Sequence, residues 1–166
     1  MSLLPSGSNF IKDPVALPIL EASQVGKARR IAATLVSRLG FNETERGKVG
    51  IVVTEIASNL VRHATEGLLL LQSRFKNDIP GIEILALDKG PGIADLGKSL
   101  QDGYSTAGTS GNGLGAISRL SAIFDIYTIH PQGTALLSQL WASPTVDRNI
   151  NIEIGAICLP KINEEV

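Results

Sequence analysis

Three polar side chains recur every fourth residue at Glu55, Asn59 and His63, and their types could handle a proton and a cation. At about 3.6 residues per helical turn they form a stripe beside an apolar stripe that must face the core. A carboxylate at that rim can accept a proton from an attacking hydroxyl or water. An amide oxygen one turn away can bind a hard cation such as Mg²⁺. Taken alone, the spacing also fits an ordinary surface stripe.

A second candidate group follows a predicted strand, where Asp88 precedes the segment Lys89-Gly90-Pro91-Gly92-Ile93. The two glycines allow another molecule to approach the backbone closely. A carboxylate at a strand end can accept a hydrogen bond from an exocyclic amino group, which adenine carries and guanine lacks at the same place. A tight turn capped by Asp88 is the alternative interpretation.

A third group is glycine-rich and runs directly into an apolar helix, with the sequence Gly111-Asn112-Gly113-Leu114-Gly115. Unobstructed amides at a helix start form an anion site, and phosphate is the expected anion. No strand precedes the segment, as a dinucleotide fingerprint requires, and no Gly-Lys-Ser/Thr ends it as in a P-loop. Thr106 and its small polar neighbours could donate to phosphates or could be ordinary loop residues.

The elements that must position these groups are helices and strands in uneven alternation. Pro18 favours an edge position for the first strand, Ser23 is the predicted cap of the first helix, and Asn42 or Thr44 opens the second. The pattern predicts an α/β two-layer sandwich, a mixed and largely antiparallel sheet backed by helices. The predicted strands are 15–20, 68–74, 81–87, 122–129 and 134–141, and the predicted helices are 23–39, about 44–64 and 114–120.

Composition narrows the class of protein. The chain has 166 residues, a net charge of −1, one cysteine and two histidines. These numbers suit one compact domain and exclude an intramolecular disulfide framework and a cysteine-built zinc site. They give no reason to expect nucleic acid or membrane as partner, and without a signal or spanning segment we expect a cytoplasmic protein. The basic face of the first helix (Lys27, Arg29, Arg30 and Arg38) is either solvated or a docking surface for an acidic partner.

Together the motifs resemble the GHKL, or Bergerat, ATP-binding superfamily in their order along the chain. Glu55-x-x-x-Asn59-x-x-x-His63 resembles its N box, and Asp88-x-Gly90-x-Gly92 resembles its first glycine box. Gly111-x-Gly113-Leu114-Gly115 resembles the second glycine box, and Gly133-Thr134 resembles a late Gly-Thr element. Within the superfamily, the helix pair and residues 101–106 resemble the RsbT-type switch kinases, relatives of anti-sigma factor serine kinases.

The resemblance implies a Bergerat fold with ATP held between the sheet edge and a glycine-rich lid, which would be residues 94–112. By motif, Glu55 would be the general base, Asn59 the Mg²⁺ ligand and Asp88 the acceptor of the adenine amine. Thr134 would support Asp88. The remaining nucleotide-binding positions would be Gly90, Gly92, Ile93, Thr106, Gly111, Asn112, Gly113, Leu114 and Gly115. Lys89, Lys98 and Arg119 are all candidates for a transition-state cation.

The function implied is a serine/threonine protein kinase that uses ATP and Mg²⁺ and phosphorylates a STAS-domain antagonist in bacterial stress or sigma-factor regulation. A phosphatase, a cyclase-type target or a sigma factor are further partners of this class, and a homodimer is compatible with it. The alternative is a nucleotide-gated protein-binding module with little or no kinase activity. A histidine-kinase catalytic domain is a weaker third interpretation, because nothing here supplies the dimerisation helix pair that carries the accepting histidine.

The predicted domain organisation has three parts. Residues 1–13 are a flexible lead-in, 14–142 the ATP-binding kinase domain, and 143–166 a linker with an extra strand over 150–159. That last strand resembles the opening strand of PPM-type phosphatase domains. A kinase–phosphatase fusion is therefore one expectation, and a self-contained protein with one extra strand is the other.

Overall fold

The computed structural model describes residues 14–100 and 113–142. Five strands and four helices follow one another in this part of the chain. The strands are β1 (Val15–Pro18), β2 (Leu68–Lys76), β3 (Ile79–Asp88), β4 (Ile123–Ile129) and β5 (Gly133–Trp141). The helices are α1 (Ala22–Arg38), α2 (Glu43–His63), α3 (Leu96–Ser99) and α4 (Gly113–Leu120).

The strands form one sheet in the order β1-β2-β3-β5-β4, and every neighbouring pair is antiparallel. Helices α1, α2 and α4 contact one another or the sheet. The buried core between the layers is almost wholly aliphatic, and includes Val52 and Ile56 of α2 and Leu69 and Ile84 of the sheet. The predicted two-layer sandwich, with β1 at an edge, is therefore confirmed.

Helix α2 begins as the sequence predicts, after Asn42. The Asn42 side chain accepts from the Glu45 amide at 2.9 Å, and the Glu45 carboxylate accepts from the Asn42 amide at 2.8 Å. This reciprocal capping box satisfies two amides that have no partner within the helix. The same helix buries Val49, Val52 and Leu60, so its polar stripe is fixed in orientation by the burial of the apolar one.

Two local predictions are wrong, and one short helix is missing from the predicted elements. Helix α1 is capped by Glu21, which forms a capping box with Gln24, and Ser23 lies within the helix. Strands β2 and β3 meet in a two-residue hairpin, because Asn77 and Asp78 adopt φ of 49° and 63°, and strand pairing therefore extends to Lys76 and Ile79. The short helix α3, with Asp95 at its N-cap, is absent from the sequence interpretation.

The end of helix α4 is fastened to the sheet by two serines. Ser138 of β5 is fully buried, and its hydroxyl lies 2.7 Å from that of Ser121. Ser121 also donates to the carbonyl of Ile117 at 2.6 Å. Because both hydroxyls are partnered, this buried polar contact carries no desolvation penalty for an unpaired group, and it fixes the position of α4 over β5.

Several predictions concern residues outside the described ranges. These are the lead-in 1–13, the nucleotide-binding positions Thr106, Gly111 and Asn112, most of the predicted lid, and the strand over 150–159. They stay predictions, as do the predicted domain boundaries. No described helix has both the length and the apolar character needed to cross a bilayer.

Candidate functional site

Helix α2 presents Glu55 and Asn59 toward the first residue of α4. Both side chains are half-buried. A Cβ atom built at Gly113 would lie 3.0 Å from Glu55 Oε2 and 3.7 Å from each polar atom of the Asn59 amide. The carboxylate, the amide and the start of a glycine-rich helix thus converge, and only a residue without a side chain leaves this space open.

The end of strand β3 carries the second part of the site. Asp88 is half-buried, and its Oδ1 accepts a hydrogen bond from the Gly90 amide at 2.6 Å. Within residues 14–100 and 113–142, the other carboxylate oxygen, Oδ2, forms no hydrogen bond or ion pair. Burial raises the pKa of Asp88 above its ordinary value, while the Gly90 hydrogen bond and the charge of His63 oppose that shift.

The turn after β3 is fastened beneath the end of α2. The Lys89 amide donates to the Thr65 carbonyl at 2.9 Å. A Cβ at Gly90 would lie 2.8 Å from the His63 carbonyl oxygen and 2.7 Å from Asp88 Oδ1. The first glycine turn therefore holds the Asp88 end of the sheet at a fixed position relative to the polar stripe of α2.

Thr128 of β4 links the remaining parts of the site. Its hydroxyl accepts from the Ile93 amide at 2.8 Å and lies 3.2 Å from both the Gly133 carbonyl and the Thr134 hydroxyl. Thr134 in turn pairs in register with Asp88. One hydroxyl thus connects the glycine turn after β3 with the Gly-Thr element that opens β5.

Two glycines permit close approach of backbone segments here. Gly92 has φ of 72°, and a Cβ there would lie 2.7 Å from the Ile129 carbonyl oxygen. Gly133 has φ of 122°, and a Cβ there would lie 2.2 Å from the Asp88 carbonyl oxygen. His130 Nδ1 donates to the Pro91 carbonyl at 2.8 Å and adds a further tie to the turn.

Two of the three candidate cations form ion pairs at the surface. Lys89 Nζ lies 2.7 Å from Glu66, and Lys98 Nζ lies 3.4 Å from Asp95. Arg119 lies in the last turn of α4. Residues 14–100 and 113–142 contain no group of three or more His, Cys, Asp or Glu that could hold a metal ion. A cation at this site would therefore need ligands other than a carboxylate cluster.

The structure brings together most of the described residues that the sequence singles out. Glu55 and Asn59 meet Gly113, with Leu114 and the buried Gly115 following in α4. Asp88, Gly90, Gly92, Ile93 and Thr134 form the second cluster. Thr128 and His130 are missing from the sequence interpretation. The alternation of side chains along β4 places Thr128 on the same face as the core residues. That alternation is the sequence pattern that could have indicated an inward-facing role for Thr128.

Comparison with known proteins decides the family. The family model of the histidine kinase-like ATPase domain matches residues 19–139 of the sequence. The chain belongs to this family of ATPase domains. The match covers every described element except β1 and the end of β5, and the resemblance to the GHKL superfamily is confirmed.

Among the relatives of this ATPase-domain protein is the serine/threonine-protein kinase RsbT of Bacillus subtilis (strain 168). It is 28% identical over 131 residues, which are 79% of this chain and 98% of that protein. Solved structures that resemble the chain include the mycobacterial sensor histidine kinase MprB, with a TM-score of 0.47 and 15% identity over 78% of this chain and 97% of that one. The catalytic domain of histidine kinase ThkA has a TM-score of 0.44 and 12% identity over 80% of this chain and 97% of that one.

Proposed function

We propose that this ATPase-domain protein is a serine/threonine protein kinase of the anti-sigma, or switch, type, which uses ATP and Mg²⁺. The observation that carries the proposal is the approach of Gly113 to Glu55: a Cβ atom built at Gly113 would lie 3.0 Å from Glu55 Oε2. A general base must lie beside the phosphates whose transfer it assists. The similarity to a relative named as a serine/threonine-protein kinase, over 98% of that relative, supports the reaction class.

Each side chain then has one task in phosphoryl transfer. Glu55 would accept the proton from the serine or threonine hydroxyl of the substrate protein. The oxygen of that hydroxyl bonds to the γ-phosphorus, and ADP departs with the electrons of the broken P–O bond. Asp88 Oδ2 would accept from the adenine amine. Thr134, which pairs in register with Asp88, would support that residue, and Thr128 would hold the glycine turn through the hydrogen bond that its hydroxyl accepts from the Ile93 amide.

The described residues fit Mg²⁺ if nucleotide phosphates and water supply most of its ligands. Because the described residues hold no carboxylate cluster, the ion would be bound by nucleotide phosphates, water and the amide oxygen of Asn59. Mg²⁺ would neutralise phosphate charge when bound. Glu55, which shares the space before Gly113 with Asn59, stays free to accept a proton.

We propose a STAS-domain protein as the phosphate acceptor, in keeping with the resemblance to switch kinases. A cleft of about 220 Å³ between β1 and α1 offers a docking surface for such a partner. Its floor includes Val15, Ile31 and Leu35, and it is flanked by Arg30 and Arg38. In the described part of the chain neither arginine forms a salt bridge, so both can pair with carboxylates of the partner.

That cleft also favours the second candidate function, a nucleotide-gated binding module. In this case ATP would order the site and change the affinity for a partner, with little transfer of phosphate. The two functions differ in their dependence on Glu55, because partner binding does not need a general base. Retained and nucleotide-dependent partner binding without transfer would select the second function.

A transfer assay with matched variants tests the proposal. The protein is incubated with γ-labelled ATP, Mg²⁺ and a panel of purified STAS-domain proteins, and phosphoserine and phosphothreonine are measured. Glu55→Gln should lower transfer at least ~100-fold, the usual contribution of a general base, with nearly unchanged ATP affinity by calorimetry. Glu43→Gln, the same change at the exposed start of α2, is the control. Full transfer by Glu55→Gln would show that Glu55 is not the base.

A further inference from the structure

One exposed apolar side chain of helix α2 lies directly beside the general base of the proposed function. Ile51 precedes Glu55 by four residues and is 51% exposed. Residues four apart on a helix are surface neighbours, with about 5–6 Å between their Cβ atoms. Single exposed aliphatic side chains are common on protein surfaces. This one is distinguished by its place relative to the candidate site.

Helix α2 has one end at the proposed adenine position and runs from there past the proposed phosphates. At its C-terminal end, a Cβ built at Gly90 would lie 2.8 Å from the His63 carbonyl oxygen, so the turn that follows Asp88 lies against His63. Glu55 lies eight residues earlier, about 12 Å along the helix axis, and faces Gly113. The nucleotide of the proposed function would therefore extend along α2 from His63 toward Glu55.

The acceptor hydroxyl would approach from the far side of the γ-phosphate. Attacking and leaving oxygens lie roughly in line in phosphoryl transfer, and the departing ADP would occupy the His63 side of Glu55. The hydroxyl that Glu55 deprotonates would therefore arrive from the opposite direction, where α2 continues toward its N-terminus. Ile51 is the position one turn further in that direction, about 6 Å along the axis.

A positively charged side chain extends the same surface by one more turn. Lys48 precedes Ile51 by three residues and Glu55 by seven, so the three side chains lie on one side of the helix. Lys48 is exposed, and within residues 14–100 and 113–142 it forms no ion pair. The surface next to the general base is thus apolar first and positive beyond.

We infer that Ile51 is a specificity-determining residue for the phosphate acceptor. It contacts an apolar side chain within two residues of the phosphorylated serine or threonine, and Lys48 pairs with a carboxylate further along the same segment. Consecutive Cα atoms are about 3.8 Å apart, so one or two residues of acceptor chain span the distance from Glu55 to Ile51.

The inference rests on the proposed kinase function and adds to it the chemical character of the phosphorylated segment. It concerns a different surface from the cleft between β1 and α1, because no residue of α2 lines that cleft. The cleft would bind the body of the partner, and Ile51 would select the segment that reaches Glu55. Variants of α2 therefore test the segment without altering the cleft.

Steady-state kinetics of the full chain with the panel of purified STAS-domain proteins, at saturating ATP and Mg²⁺, test the inference. Ile51→Gln should raise the KM for the acceptor about 10–100-fold, the range for one apolar contact in a specificity site. The kcat and the ATP affinity should stay nearly unchanged, because the contact is equally strong before and during transfer. Glutamine favours helix and adds no charge beside Glu55.

Ile123→Gln is the matched control, because it makes the same change at a 40% exposed isoleucine of β4. It should leave the acceptor KM unchanged. Lys48→Gln should raise the acceptor KM at low salt and have little effect at about 1 M salt, where charges are screened beyond about 3 Å. Circular dichroism of each variant verifies that the helices are intact.

A double-mutant cycle identifies the contact from the side of the acceptor. Mass spectrometry locates the phosphorylated residue, and the apolar residue within two positions of it is changed to alanine. That change and Ile51→Ala should each raise KM. Together they should raise KM by less than the product of the single effects, since both remove the same contact.

Three results would overturn the inference while the wild-type chain still phosphorylates its acceptor and the kinase function stands. These are an unchanged acceptor KM in Ile51→Gln, an equal loss of ATP affinity in that variant, and a phosphorylated site with no apolar residue within two positions. A wild-type chain that binds ATP and phosphorylates no acceptor would instead contradict the proposed function, and the inference with it.

Discussion

Gly113, the first residue of helix α4, lies next to the carboxylate of Glu55, and a Cβ atom built at Gly113 would lie 3.0 Å from Glu55 Oε2. Two helices separated by 49 residues of chain, 64–112, meet at this point. Their meeting depends on the packing of α4 on α2 and on the Ser121–Ser138 tie to the sheet. The separation between helix start and carboxylate is therefore fixed by the fold, and a single added methyl group can probe it.

Gly113→Ala should displace the Glu55 carboxylate by a few tenths of an ångström without unfolding the protein. The contacted atom ends a side chain that can turn away, so the cost in stability is small. A misplaced general base costs more in rate, since errors of ~1 Å can lower rates about 100-fold. We expect the rate of phosphate transfer to fall about tenfold or more. The free energy of unfolding of the same variant is measured as well, and it should change little.

Gly47→Ala is the matched control for that variant. Gly47 also lies in a helix, and a Cβ there has nothing within 4 Å. Alanine should raise the free energy of unfolding by ~0.5–1 kcal/mol through lower chain entropy in the unfolded state, with transfer unchanged. Equal transfer rates in the two variants would contradict the proposed closeness of Gly113 to the reacting groups.

Asp88→Asn should remove the preference for adenine. Asparagine can still accept from the Gly90 amide, but its second polar atom is a donor and would face the donating amine of adenine. We expect ATP affinity to fall ~10–100-fold, the range for a lost hydrogen bond to a charged group, and the ratio of ATP to GTP affinity to approach one. Calorimetric titration measures both, with Asp125→Asn on the exposed edge of β4 as control.

The raised pKa of Asp88 gives the same site a dependence on pH. Only the ionised carboxylate accepts on both oxygens, so ATP affinity should fall as pH drops from neutral through the raised pKa. For the free protein the sign is opposite. The folded state holds the Asp88 proton more tightly than the unfolded state, so this group lowers stability as pH rises from 3.8 through the raised pKa. Asp88→Asn should abolish both dependences, and an unchanged pH profile would contradict them.

The sequence alone predicts the helices that carry the site better than it predicts their ends. The core stripe of α2 runs from Val49 to Leu60, about three turns, so its orientation follows from burial, and Asn42 is a common capping residue. Glu21 is not, and its role becomes visible only as a reciprocal pair with Gln24. The two-residue hairpin at Asn77 and Asp78 was obscured because Pro80 and Gly81 next to it also favour turns.

The connections within the site were harder to foresee than its members. Glu55 stands out by its four-residue spacing from Asn59, and Asp88 by its position directly after an apolar strand. Thr128 does not, since threonine is common in strands. Its role depends on three partners from three segments, namely Ile93, Gly133 and Thr134. Such long-range pairing follows from strand order, and periodicity along a single chain does not determine strand order.

Thr128→Val should weaken the fold and the site together. Valine keeps the shape and the strand preference, but it leaves the Ile93 amide without its acceptor. We expect the free energy of unfolding to fall by ~1–3 kcal/mol, the cost of an unsatisfied half-buried donor, and ATP affinity to fall with it. Thr34→Val removes an exposed hydroxyl that bonds only within α1, and it should change stability by less than ~0.5 kcal/mol. Similar denaturation curves for both variants would show that Thr128 does not link the segments.

Gly133→Ala should be among the most damaging single changes to this fold. The added Cβ would lie 2.2 Å from the Asp88 carbonyl oxygen, and the residue has φ of 122°. The clash involves backbone, so relief requires parting β5 from β3 where Thr134 pairs with Asp88. Gly40→Ala isolates the strain of a positive φ, because Gly40 has φ of 78° and nothing within 4 Å of its Cβ position. That control should cost ~1–2 kcal/mol, and Gly133→Ala at least ~2 kcal/mol more, as overpacking adds to strain. Chemical denaturation compares the two, and equal costs would mean that β3 and β5 are not this close at the site.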